Sequence, residues 1–133
     1  MTFTARAFTP ANGIAFTSDV ESVVYRDGAL LVVVACSLDE NRTVHGLRVT
    51  FAQPAGFRLL DELELQRYWM ADDWPCGSHV LEVTGGGWAG EEDVLQGFDT
   101  ARREWLVVTG NACVSVFCKD EPDVVETAWQ FPD

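Results

Sequence analysis

No stretch of this chain is apolar for long enough to cross a bilayer, which argues against a helical membrane span. Residues 1–10 lack the apolar core of a secretory signal, so the expected location is the cytoplasm. Basic side chains are scarce: 9 Lys and Arg stand against 21 Asp and Glu, a formal net charge of −12. That potential opposes binding to nucleic acid or to an anionic membrane, and it steers a basic protein toward this one. Internal repeats, low-complexity tracts and linkers are missing as well. The 133 residues, 47% of them hydrophobic, fit a single globular domain over residues 1–133.

Histidine is nearly absent, and with it most metal chemistry. Cys76 and His79 have a C-x-x-H spacing, His45 is the other histidine, and no second ligand pair completes a zinc site. No metal and no cofactor is assigned. Cys76 beside His79 is also two-thirds of a thiol nucleophile, but neither Ser78 nor Asp73 supplies a defined third member. A calcium loop would need alternating Asp-x-Asp-x-Asp-Gly ligands, and none occurs. Gly85-Gly86-Gly87 is not followed by Lys-Ser/Thr, and no clear helix start follows it, so it reads as a strand bend or bulge rather than a phosphate loop. Acidic clusters such as Asp39–Glu40, Asp61–Glu62 and Asp120–Asp123 lie in turn-like segments where solvation explains them, so no catalytic residue is assigned. Cys36, Cys113 and Cys118 sit inside apolar runs as small hydrophobes, reduced in the absence of a secretion signal.

What the chain does have is strand pattern. A short edge strand is expected around residues 3–8. VESVVYR and ALLVVVACS flank Asp27-Gly28, a strong hairpin signal, and the second run is apolar throughout, as for a central strand covered on both faces. TVHGLRVTFAQ adds a strand with Gly46 as a bulge or twist point. SHVLEVT reads as half-buried, REWLVVT and ACVSVFC form a second hairpin across Gly110-Asn111, and VVETAWQF ends the chain as an edge strand. FRLL leads into the one clear helix signal. Asp61 and Glu64 have capping-box spacing, Leu63, Arg67 and Met70 share a stripe, and Trp74-Pro75 stops the pattern. Residues 89–100 fit a helical turn or a loop equally well. The sum is a β-dominated α+β fold: a mostly antiparallel sheet of about seven strands, in a curved sheet, sandwich or partial barrel, with one short helix packed on it.

Five tryptophans are the remaining anomaly. Trp105 alternates with Val107 as a core residue would. Trp74 and Trp88 sit in loops beside acids, where an aromatic could anchor an interface or fold down to plug the sheet. The candidate partner-binding residues are therefore Asp72, Asp73, Trp74, Trp88, Glu91, Glu92 and Asp93.

Over residues 20–120 the order FRLLDE, L-x-x-Y/W, GGW after a strand, and EWLVV followed by CVSV resembles small bacterial immunity-type proteins, which neutralise polymorphic or contact-dependent toxins. The resemblance implies a non-enzymatic, tight-binding inhibitor, acidic because the toxin is often a basic nuclease. The matched positions are Glu62, Trp69, Gly86, Gly87, Trp88 and Cys113, in framework or contact roles. The rival reading is a small-ligand or enzymatic β-domain, its pocket between helix and sheet lined by Tyr68, Trp69, Trp88 and His79. A third is an interaction module, whose sign would be exposed edge strands near either terminus.

Overall fold

The computed structural model describes residues 3–8, 18–61, 78–97 and 102–131. Among them are nine strands and one helix: β1 (Thr4–Ala7), β2 (Asp19–Arg26), β3 (Ala29–Leu38), β4 (Thr43–Ala52), β5 (Gly56–Asp61), β6 (Val80–Gly85), α1 (Gly87–Gln96), β7 (Glu104–Val108), β8 (Ala112–Phe117) and β9 (Asp123–Gln130). They form two antiparallel sheets that do not close into a barrel, ordered β1-β6-β7-β8-β5 and β2-β3-β4-β9. The β-dominated, antiparallel expectation holds. The strand count exceeds seven because FRLL belongs to a full strand, β5, paired along its length with β8, and because β9 completes the second sheet.

Turn chemistry places the hairpins. Asp27 and Gly28 both take positive φ, 53° and 80°, which matches the twist of the flanking strands β2 and β3. The β3–β4 turn is built by Asp39, whose carboxylate accepts from the backbone N–H groups of Asn41 and Thr43. Gly46 stands opposite a bulge: pairing runs Ala35↔Gly46 and then Ser37↔His45, so Cys36 is the extra residue. A Cβ at Gly46 would lie 2.0 Å from the Val34 carbonyl oxygen, so only glycine fits there.

Between the sheets lies one apolar core, with Leu30, Val32 and Val34 of β3 and Leu47, Val49 and Phe51 of β4 facing Val80, Trp105, Val107, Val114 and Val116. Trp105 is fully buried, as its alternation with Val107 implies, and its indole N–H donates to the Cys118 carbonyl. β3 is central but not covered on both faces: its residues alternate between buried and half-buried, because only the inner face meets the other sheet. The strands buried on both faces are β7 and, past Ala112, β8; on their outer side Leu106, Val108 and Cys113 join Leu81, Leu60 and Phe3 in a second cluster. The helix expected from Asp61 lies outside the described residues, apart from Asp61 itself, which ends β5.

Candidate functional site

The described helix starts where none was expected. Gly86 and Gly87 take positive φ, 70° and 62°, and turn the chain out of β6 directly into α1. Gly97 closes it in the left-handed conformation, with its N–H on the Asp93 carbonyl. The glycine run is thus a strand-to-helix turn, and residues 89–96 are helical. The sequence carried signals for this: glycines at both ends of WAGEEDVLQ and no proline within it.

No side chain of α1 caps its own N-terminus. The cap comes from β7. Glu104, 1% exposed, accepts from the backbone N–H of Ala89 at 2.7 Å and of Trp88 at 3.2 Å. A helix N-terminus favours an anion, and this one is filled by the protein's own carboxylate. A Cβ at Gly87 would come within 3.0 Å of Glu104 Oε1 and of Val83, so the third glycine lets the turn sit on the carboxylate. Burial pushes Glu104 up to about 7; the two N–H bonds and the charge of Arg58 pull down against it, and Glu91 adds to the rise. A single acid in the apolar run REWLVVT was the available hint.

Of the seven proposed partner-binding residues, Asp72, Asp73 and Trp74 lie outside the described residues, and α1 carries the other four. Trp88 is half-buried. Its ring stacks on Phe117 at 4.0 Å between centroids, the Arg58 guanidinium lies 4.8 Å from its centroid, and its indole N–H donates to Glu92. Glu91 pairs with Arg58 at 3.4 Å and Asp93 with Arg102 at 3.7 Å. Trp88 and these acids therefore tie α1 down to β5, β8 and the start of β7. Beside Glu91 and Gln96, α1 turns an apolar pair to solvent: Val94 and Leu95 are 71% and 79% exposed, the most exposed large hydrophobic side chains among the described residues. Sequence reasoning passed over this pair in favour of the tryptophan.

A second site lies at one end of the sandwich. The bulge brings Cys36 to His79, with Sγ 3.7 Å from Nε2, while His79 Nδ1 lies 2.7 Å from the Val108 carbonyl oxygen. A carbonyl only accepts, so Nδ1 carries the proton, and the neutral ring leaves Nε2 to accept the Cys36 thiol. Burial lowers His79, the Val108 bond opposing it, and burial raises Cys36. Both shifts favour the neutral pair over thiolate and imidazolium, the opposite of an activated nucleophile. The pair opens onto a cleft of about 300 Å³ lined also by Ser37, His45, Gly46, Leu47, Glu126 and Thr127. The two residues are 43 positions apart, and nothing in the sequence joins them; Cys76, the cysteine near His79 in sequence, lies outside the described residues. Among the described residues no group of three or more His, Cys, Asp or Glu is arranged to hold a metal ion, and no helix is long and apolar enough to cross a membrane. Trp88 and His79, both expected to line one helix–sheet pocket, are apart: Trp88 lies under α1 on Phe117, His79 against Cys36 of the other sheet.

No protein-family model, curated protein or solved structure matches this chain.

Proposed function

We propose that this protein is a non-enzymatic acidic binding protein of the immunity type, which neutralises a basic protein partner. The observation that carries the reading is the outer side of α1, where Val94 and Leu95 stand exposed on a helix that also bears Glu91, Glu92 and Asp93. An apolar centre ringed by charge is the anatomy of a protein interface. The net charge of −12 sets the sign of the partner and the speed of encounter. Trp88 serves this surface from beneath, by holding the helix on Phe117. Asp72, Asp73 and Trp74 belong to the same proposal on the strength of the sequence alone.

The test is capture from the source lysate at low and at high salt, with wild-type protein and with Leu95→Asp. The expected result is one stoichiometric basic protein, retained at low salt, released as salt rises and lost with Leu95→Asp while the variant stays folded by circular dichroism. Equal retention by Leu95→Asp would remove α1 from the interface. The second reading, a small-ligand or enzymatic site, rests on the cleft beside Cys36 and His79. Its place is the end of the sandwich where that cleft opens, and its ligand would have to meet a neutral thiol–imidazole pair.

A further inference from the structure

Four of the described strands end their sheets: β1 and β5 in one, β2 and β9 in the other. Three carry features that blunt an open edge. β1 is four residues long, shifts register between Thr4 and Ala5, and bears Arg6. β2 shifts register between Val20 and Ser22 and ends on Arg26. β5 bears Arg58, which reaches the Trp88 ring of α1. Bulges, short length and charged side chains, Lys above all, are the usual means of stopping a further strand from adding. β9 is neither short nor bulged, and its two charges, Asp123 and Glu126, are both acidic, so they oppose an acidic strand and not a basic one. Its eight residues pair one-to-one with β4, from Thr43↔Gln130 to Thr50↔Asp123, without a shift, and include no Lys, Arg, Gly or Pro.

We propose that the β9 edge is a docking site for an extended, basic strand of a protein partner, added beside β9 as a fifth strand of that sheet. Charge selects the occupant. From Asp120 to Asp133 the chain has five acidic residues and no basic one. Asp120, Asp123 and Glu126 make no ion pair among the described residues; only Glu121 does, with Arg103 at 3.6 Å. Asp123 and Glu126 lie on opposite faces of β9, so a strand rich in Lys or Arg would set a cation against one carboxylate on each face, and its backbone would supply the specificity-free part of the affinity. Val125, 49% exposed, offers an apolar contact midway along. A second copy of this chain fits poorly, because two β9 edges side by side bring like charges together. The proposal rests on the binding-protein reading for the sign of the partner only; its surface is separate from α1.

The experiment uses the full chain and three synthetic decapeptides: alternating Lys and Val, the same with alternate backbone nitrogens methylated, and alternating Glu and Val. Amide hydrogen exchange reads the site. The Lys–Val peptide is expected to slow exchange across residues 123–130, to lose its effect as salt rises, and to bind about tenfold or more better than its N-methylated form, as loss of several backbone hydrogen bonds requires. Val125→Lys is expected to abolish the protection, and Leu95→Asp on α1 to leave it unchanged, so failure of the α1 reading is seen separately. Equal binding by the methylated peptide, protection elsewhere than β9, binding of the Glu–Val peptide, or a β9-dependent dimer in sedimentation would each overturn the proposal.

Discussion

Glu82 and Glu104 stand on adjacent strands of one sheet, β6 and β7, and the protein shifts them in opposite directions. Glu82 is held below the usual carboxylate range, first by its hydrogen bonds with Arg103, with those of Arg6 and the charges of both adding to the effect against burial. Among the described residues Glu104 has no guanidinium bonded to it and accepts from two backbone N–H groups; burial wins and carries it up to about 7. The difference teaches what each carboxylate is for. Glu82 is an ion-pair hub at the sheet's rim, tying β1 to the chain ahead of β7. Glu104 is the floor on which α1, and with it the proposed binding face, is seated.

Removing that floor should have the largest effect. Glu104→Ala leaves the N–H groups of Trp88 and Ala89 without their acceptor and opens space under Gly87, so a loss of about 3 kcal/mol is expected. Thermal unfolding measures it, and a variant as stable as wild type would show that α1 does not depend on this acceptor. The pH profile separates the two glutamates. Unfolded, Glu104 loses its proton near 4.5, and folded, near 7. Between those values the folded state holds the extra proton, so stability is fully present below 4.5 and falls as pH rises, by an amount on the order of 3 kcal/mol by pH 7. Glu104→Gln should flatten that fall, read as the change in Tm from pH 4.5 to pH 8. An unaltered slope would mean that Glu104 is ionised across the range.

Trp88→Ala comes next, at about 2 kcal/mol, because it deletes a ring stacked on Phe117 and flanked by Arg58. As a free interface anchor, Trp88 would change binding and leave stability alone. The structural position predicts a loss in both, since α1 would be loosened from the sheet; urea unfolding of the purified variant decides between them. Glu82→Gln is smaller, about 1 kcal/mol, because its partners Arg6 and Arg103 are 68% and 34% exposed. Its sign is opposite to that of Glu104: with the folded pKa depressed, stability is present above 4.5 and lost as pH falls through the folded value. Glu82→Gln should therefore cost stability near neutrality and little in strong acid; a cost that grew on acidification would contradict the pairing.

These contrasts also mark what the sequence could tell. Strands and hairpins were legible because period-two patterning and Asp27-Gly28 or Gly110-Asn111 are local signals, and local physics sets them. The start of α1 was not, because its cap is 15 residues away on another strand rather than in the first turn. The same holds for the role of Trp88: an aromatic among acids and glycines looks like a free loop residue until Phe117 is brought beneath it. The glycine run does precede a helix with an anion at its start, and that anion is the chain's own Glu104. Val94 and Leu95 were passed over because, without a helix, nothing turned them outward.

The smallest expected effect belongs to the site the sequence hid most completely. Cys36→Ala removes a half-buried thiol that donates to His79 Nε2 and should cost under about 1 kcal/mol, since the cleft admits water to replace the bond. His79→Phe is the sharper variant, because it also strands the Val108 carbonyl, and about 2 kcal/mol is the expected cost. The pH dependence carries the argument further. His79 has a folded pKa below 6.5, so as pH falls from 6.5 through that value the unfolded chain takes up a proton the folded state refuses, and stability declines. Glu104 acts in the opposite sense over much of the same range, so in the wild type the histidine only reduces the fall due to Glu104. In Glu104→Gln the histidine slope should emerge alone, and adding His79→Phe should remove it. A slope that survived in the double variant would come from another group, and the neutral state of His79 would lose this support.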